Sequence, residues 1–354
     1  MNHPAPRPSG FKNLFLRRLK TLGVLVGVLL LVAAGLYQFW PQVLLRMGYT
    51  LQAWDANLRG HSVAVDGVRW VYYEGGRGPT LLLLHGFGGT RQNWVPTAKY
   101  LTRNFHVVIP DLPGYGRSSP VPVSAGGIHG EARLLAGFVD ALGLKHFGLV
   151  GHSMGGAIAG VYAAEHPQQV FGLGLVDSAG LPFPPNAFAR SVMAGHDPFV
   201  FDNRAGLDAV LRLVFLHPPR LWPRIADVLV DENKARRAFL EGVFTRLRTP
   251  ADAGALLPVL PRLTMPVLGL WCTHDPVIPP SAMDVLRKGL SATPQIAMTE
   301  LSGCRHMPNV EQPRETAQVL TRFYLLPATG GRSRHLAPAI RPQPARRSGA
   351  AIPA

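Results

Sequence analysis

Ser153 stands in Leu149-Val150-Gly151-His152-Ser153-Met154-Gly155-Gly156, where an apolar run ends and a helix-forming run begins. Glycines on both sides let the chain reverse within one residue and hold the hydroxyl out above the end of a strand, in a strained conformation. A hydroxyl is a poor nucleophile at neutral pH unless a base takes its proton, so this turn makes sense only with a histidine and an orienting carboxylate further on. Trp271-Cys272-Thr273-His274-Asp275-Pro276-Val277-Ile278-Pro279 ends an apolar run with Asp275, on a loop that Pro276 stiffens. Gly303-Cys304-Arg305-His306-Met307-Pro308 follows the last apolar run and places His306 on a loop before the final helix. Nucleophile, acid and base are expected in the order Ser153, Asp275, His306 when the serine sits on such a strand-turn-helix. Asp177, at the end of an earlier apolar run, is the alternative acid; its other reading is a loop or N-cap carboxylate.

Acyl transfer also needs donors for an oxyanion. His85-Gly86-Phe87-Gly88-Gly89 follows directly on an apolar run, and its glycines allow backbone N–H groups to approach a substrate closely. The N–H groups of Phe87 and Met154 are the expected pair. His85 precedes the nucleophile and is expected to shape this loop rather than act as the base. His129, His146, His166, His196 and His217 fall on helices, turns or the insertion described below.

These side chains need elements to position them. Ser62–Val65 and Val68–Tyr73, joined at Asp66-Gly67, read as an antiparallel hairpin. Thr80–Leu84, Val107–Pro110, Phe147–Val150, Phe171–Val176, Val267–Trp271 and Ile296–Leu301 are short continuous apolar runs, as strands buried on both faces should be. Helices are expected near Trp94–Leu101, Ile128–Leu142, Met154–Glu165, Ala282–Leu290 and Glu315–Leu326. Eight strands alternating with helices imply an α/β fold, a mostly parallel sheet covered on both faces with the hairpin at one edge.

Between Asp177 and Val267 about ninety residues stand where a single helix would suffice. They are rich in Pro, Phe and Leu, with helical stretches at Ala187–Ala194, Leu207–Leu216, Trp222–Val230 and Lys234–Leu247. An insertion there lies above the C-terminal ends of the strands and reads as a helical cap over Ser153; the alternative is a subdomain that only adds stability.

The chain thus divides into a basic segment 1–20, an apolar anchor 21–45, an amphipathic connector 46–60, a first core part 61–180, the cap 181–264 and a second core part 265–326. The tail 327–354, made of Pro, Ala, Gly and Arg without apolar periodicity, should be disordered.

A chain of 354 residues, 47% hydrophobic, suffices for one catalytic core with appendages. Of its formal net charge of +15, five positive charges lie in residues 1–20 and five in 327–354, with no acid in either stretch. The remainder shows no basic face interleaved with aromatics, which argues against nucleic acid as a partner. The basic ends suit anionic lipid or water. Two cysteines cannot build a disulfide framework, and the 13 histidines show no metal-ligand clustering, so no metal is expected.

The 25 residues between Lys20 and Arg46 are uncharged, apolar from Leu22 to Leu36 and closed by Tyr37, Phe39 and Trp40. A helix here can cross ~30 Å of hydrocarbon with aromatics at the headgroup level, and Pro41 should end or kink it. This reads as a single-pass membrane anchor. A cleaved signal peptide is the alternative, since Val32-Ala33-Ala34 loosely resembles a cleavage site, although the stretch exceeds the usual ~7 to 15 apolar residues.

Basic residues before the span outnumber Arg46 and Arg59 after it, which keeps the N-terminus in the cytoplasm and sends the catalytic domain across, into the periplasm of a bacterium. Cys272 and Cys304 lie at the ends of strands expected to be neighbours, so an oxidising compartment would allow one disulfide between the acid loop and the base loop; two buried free thiols are the alternative.

The motifs H-G-F-G-G at 85–89, D-L-P-G-Y-G-R-S at 111–118, G-H-S-M-G-G at 151–156, D-P-V-I-P at 275–279, and Gly303–Glu311 with Gln312-Pro313 together resemble the α/β-hydrolase superfamily, over roughly residues 61–326. Gly160-Val161-Tyr162-Ala163-Ala164-Glu165-His166-Pro167, with Leu175-Val176-Asp177-Ser178-Ala179-Gly180-Leu181 and the N-terminal apolar helix, is similar to the membrane-anchored monoacylglycerol lipase branch and its bacterial lipase relatives. The resemblance implies an α/β-hydrolase fold with a helical cap, Ser153 as nucleophile, His306 as general base, Asp275 as its orienter, no cofactor, and a lipid ester such as a monoacylglycerol as substrate.

Haloalkane dehalogenases and epoxide hydrolases share the resemblance but carry an Asp at the elbow, so Ser153 argues against both. C–C bond hydrolases, peroxidases and proline-releasing peptidases keep the serine, as do receptors on this fold that bind without rapid turnover, and these readings stay open. The basic Arg/Pro tail departs from the lipase branch, and Cys272 stands where glycine is frequent in the superfamily.

Overall fold

Runs of Leu, Val and Ile too short for helices pair edge to edge, and in the computed structural model they form one eight-stranded sheet. The structure describes residues 9–122 and 126–325; residues 1–8 and the tail expected to be disordered lie outside the described residues. In chain order the strands are β1 (Leu58–Val65), β2 (Val68–Gly76), β3 (Thr80–Leu84), β4 (His106–Pro110), β5 (Phe147–His152), β6 (Val170–Val176), β7 (Val267–Cys272) and β8 (Ile296–Leu301). Across the sheet they run β1-β2-β4-β3-β5-β6-β7-β8. β2 is antiparallel to both its neighbours, and β4, β3 and β5 to β8 are parallel to one another.

Alternation along each strand feeds two cores. Leu82 and Leu84 of β3 pack with α4 (Ile128–Ala141) and α5 (Met154–Glu165), while Leu81 and Leu83 pack with α3 (Val95–Leu101) and α13 (Pro313–Leu325). All four leucines are fully buried, each contributing about 1.5–3 kcal/mol, which explains why the strand reads as an uninterrupted apolar run. α11 (Ala282–Gly289) covers the α5 face beside β7.

Element boundaries differ from the sequence expectation where polar residues mask the pattern. β1 begins at Leu58, because Leu58 pairs with Gly75 and Arg59 with Glu74 along an exposed edge that carries no apolar alternation. The helices α6 (Ala187–Met193), α7 (Arg204–Val214), α8 (Pro223–Ala235), α9 (Arg237–Leu247) and α10 (Pro250–Ala253) fill the interval between β6 and β7. α7 starts three residues before its first core leucine, because Asn203 caps it by accepting the Gly206 N–H. The expected break near Lys234 falls at Arg236, between α8 and α9. A short helix not foreseen, α12 (Pro308–Glu311), separates the base loop from α13.

At the N-terminus α1 runs Ser9–Phe39 and α2 Pro41–Asp55, with only Trp40 between them. Pro41 can occupy the first turn of a helix but not its interior, so the long helix ends before it and a second begins. Within α1 the 26 residues Leu14–Phe39 extend about 39 Å, long and apolar enough to cross a membrane. Residues 41–45 therefore belong to α2 and not to the long apolar helix α1.

Candidate active site

Every parallel strand delivers its C-terminal end to the same edge of the sheet, and the chemistry gathers there. Ser153 follows β5 with φ 54° and ψ −121°, a left-handed conformation rare for a residue with a side chain. The turn closes because a Cβ on Gly151 would sit 2.1 Å from the Gly155 carbonyl oxygen, and one on Gly155 2.4 Å from that of His85. The Ser153 N–H donates to the Val176 carbonyl at 2.9 Å, and its own carbonyl accepts from Gly156 and Ala179, so the strained residue is held on both sides.

His306 Nε2 lies 3.0 Å from Ser153 Oγ, and His306 Nδ1 lies 2.7 Å from Asp275 Oδ2. The other oxygen, Asp275 Oδ1, accepts the N–H groups of Val277 at 2.7 Å and Ile278 at 3.1 Å. The three residues proposed from the sequence as nucleophile, acid and base thus form one unbroken hydrogen-bonded chain. Burial pushes the His306 imidazole down to about 3, which keeps it neutral and able to accept a proton.

Asp177 sits at the end of β6, beside Asp275, and is fully buried. Its Oδ1 accepts the Cys272 N–H at 2.8 Å. Burial, and then the charge of Asp275, push its carboxyl well above the usual range. Asp275 is raised by burial too, but the Val277 and Ile278 N–H groups oppose this. Asp275 accepts two backbone N–H groups where Asp177 accepts one, which favours negative charge on Asp275 over Asp177.

Phe87 and Met154 flank the Ser153 hydroxyl in the same cavity. Neither of their backbone N–H groups has an acceptor among the described residues, the state required of donors kept for a ligand. His85 is buried behind them. It donates from Nδ1 to the Gly86 carbonyl at 2.8 Å and accepts the Leu112 N–H on Nε2 at 3.0 Å, so both ring nitrogens are spent on holding the loop.

His152, Asp177 and His306 bring ligand-type atoms within 4.8 Å of one another. Hydrogen bonds within the chain already engage these groups: His152 Nε2 donates to the His306 carbonyl at 2.6 Å, and both His306 nitrogens are committed to Asp275 and Ser153. The cluster is a scaffold for the base.

Two positioning groups were not foreseen. His152, with its ring centroid 4.9 Å from that of His306, fixes the base loop through that carbonyl. Its only sequence signal is its place next to Ser153. Glu311 accepts the N–H of Arg305 at 2.9 Å, and those of Leu216 at 2.8 Å and His217 at 3.0 Å, which ties the base loop to the end of α7. The His306 N–H adds a bond to the Val214 carbonyl at 3.0 Å.

Above the triad a cavity of about 580 Å³ is walled by α6 to α9, with Phe183, Phe188, Phe199, Phe215 and Leu240 among its apolar lining. Gln92, Asn93, Asn233 and Arg236 supply polar groups, and Tyr49 brings α2 into the wall.

A serine elbow on the fifth strand, an acid after the seventh and a histidine after the eighth define a class, and this chain belongs to the alpha/beta hydrolase family, whose profile matches residues 81–319. Among known proteins it is similar to monoacylglycerol lipase ABHD6 of Homo sapiens, 30% identical over 305 residues, covering 81% of this chain and 88% of that protein. It is also similar to Lipase 1 of Psychrobacter immobilis, 31% identical over 279 residues, covering 76% of this chain and 84% of that one. A crystal structure of a membrane phospholipase A, described as a bacterial virulence factor, matches with a TM-score of 0.77 and 37% identity, covering 86% of this chain and 98% of that one.

Proposed function

We propose that this protein is a membrane-attached serine hydrolase that cleaves carboxylic esters of lipids, monoacylglycerols or similar acyl esters, through an acyl-enzyme on Ser153. The observation that carries this reading is the hydrogen-bonded chain Asp275–His306–Ser153 on the floor of an apolar cavity. Ser153 Oγ attacks the ester carbonyl carbon as its proton passes to His306 Nε2. The negative oxygen is met by the N–H groups of Phe87 and Met154. Collapse expels the alcohol, which takes the proton from His306, and a water activated by the same nitrogen releases the fatty acid. Asp275 keeps the ring in the tautomer that accepts on Nε2 and steadies the imidazolium.

The substrate class is supported by the aromatic and aliphatic cavity wall, by α1, and by relatives named as monoacylglycerol lipase, lipase and phospholipase A. Placement of the catalytic domain on the extracytoplasmic side is supported by the five Lys/Arg before the span and by the Cys272–Cys304 disulfide, a bond of oxidising compartments.

A fluorophosphonate probe should label the wild type and not Ser153→Ala. Each buried CH₂ is worth about 0.8 kcal/mol, so kcat/KM should climb about 15-fold for every two acyl carbons until the cavity is full. Undiminished ester hydrolysis by Ser153→Ala, or a profile highest for acetyl esters, would sink the assignment. Labelling without multiple turnover on any ester would favour a receptor.

A further inference from the structure

α2 is anchored to the catalytic domain on one side only. Ala53 is buried and Tyr49 lines the cavity, whereas Trp40, Val43, Met47, Leu51 and Trp54 are all exposed. The exposed residues are spaced 3, 4, 4 and 3 apart, which at 100° per residue confines them to an arc of about 80°. Leu51 and Trp54 are 62% and 66% exposed, a large apolar loss for a face turned to water, and the stripe contains no charge.

The chain itself indicates what covers this stripe. Trp40 alone separates α2 from α1, and backbone bonds from Trp40 to Leu36 and from Val43 to Trp40 carry the chain across the break without slack. The last turn of α1 also touches the cap. The rings of Tyr37 and Trp222 meet edge to face with centroids 5.8 Å apart, and Trp222 is 68% exposed there. Phe39, Trp40 and Trp222 therefore gather at the end of the spanning helix, as aromatics do at a headgroup layer. Pro219 and Leu221, just before Trp222, line the catalytic cavity, as do Tyr49 of α2 and the exposed Glu232 of α8.

We infer that the stripe on α2, together with Trp222, docks into the headgroup layer of the same bilayer that α1 crosses, so that the side of the cavity lined by Tyr49, Pro219 and Leu221 faces lipid. A lipid surface is favoured over a second copy of this chain because the stripe continues directly from the span and ends in aromatics at Trp40 and Trp54. The docking is independent of the catalytic reading; only the route of substrate entry rests on it.

The full chain in phosphatidylcholine/phosphatidylglycerol vesicles provides the test. Both native cysteines are paired and buried, so Leu51→Cys or Trp54→Cys can be labelled alone with an environment-sensitive fluorophore. Nitroxide lipids labelled near the headgroup should quench both labels and spare one at Lys145→Cys, which precedes β5 at the opposite end of the sheet. Equal, weak quenching at all three sites would overturn the docking. So would labels at 51 and 54 that are shielded from water, unquenched by lipid, and able to transfer energy between copies, because the face would then be a dimer interface.

Leu51→Glu combined with Trp54→Glu should slow hydrolysis of a bilayer-embedded ester about tenfold, with turnover of a water-soluble short ester within about twofold of wild type. An equal loss on both substrates would overturn the entry route, and fluorophosphonate labelling of Ser153 in the same variant reports separately on the catalytic site.

Discussion

Removing the Cys272–Cys304 bond should lower stability without dismantling the site. The two residues are 32 apart in sequence with Cα atoms 5.4 Å apart, Cys272 three residues before Asp275 and Cys304 two before His306. Closing a loop of that length removes about 3–4 kcal/mol of chain entropy from the unfolded state. For a domain of this size about 2–4 °C of melting temperature follows each kcal/mol, so Cys272→Ala with Cys304→Ala should melt about 6–15 °C lower. Near 25 °C the triad should persist, because β7 and β8 remain paired from Val267↔Ile296 to Cys272↔Leu301. Under those conditions kcat/KM should fall by less than about tenfold. The assay is a thermal melt of the detergent-solubilised full chain with and without strong reductant, together with a thiol titration in denaturant. Wild type should show no free thiol and a reductant-sensitive melt, and the double variant an insensitive one. Two free thiols in the purified wild type, or a melt identical to that of the variant, would refute the reasoning and remove one support for an extracytoplasmic domain.

Three further outcomes are expected. Glu131 is buried with Oε2 lacking a partner, and burial pushes its carboxyl up to about 8, so the folded chain keeps a proton that the unfolded chain releases above the ordinary value of 4.5. The contribution of Glu131 to stability should therefore be full below pH 4.5 and be lost as pH rises toward 8; Glu131→Gln should be more stable than wild type by about 4 kcal/mol at pH 8, a difference that shrinks toward pH 5, as read by denaturant titration of both proteins at each pH. Asp275→Asn should lower kcat for ester hydrolysis by about 10⁴, whereas Asp177→Asn should cost less than about tenfold, since only Asp275 bonds the His306 ring. Glu311→Ala frees three backbone N–H groups that join the base loop to α7, and should cost about 3 kcal/mol in a melt while raising KM for long acyl esters more than for short ones.

The parts of this protein that its sequence determines are those whose physics is local. Glycines around Ser153 and after Leu84 act over one or two residues, and the strand and helix patterns depend on periodicities of two and 3.6. The apolar span ending before Pro41 depends only on composition and length. These signals placed eight strands in order and put Ser153, Phe87 and Met154 on the turns that bear them.

Tertiary structure decided what depends on distances between segments far apart in the chain. Asp177 and Asp275 both end strands in polar loops, and only the packing of β6 against β7 shows which carboxylate meets the His306 ring and which instead accepts the Cys272 N–H. The neutrality of His306 comes from its burial, and its backbone N–H is held by the Val214 carbonyl of α7, more than ninety residues earlier in the chain. Glu311 lay within a recognisable motif, yet its work as a clamp depends on the N–H groups of Leu216 and His217, which no spacing near it could reveal. The placing of Tyr49 in the cavity wall is of the same kind: an amphipathic pattern shows that α2 has two faces, and only packing decides which of them the protein covers.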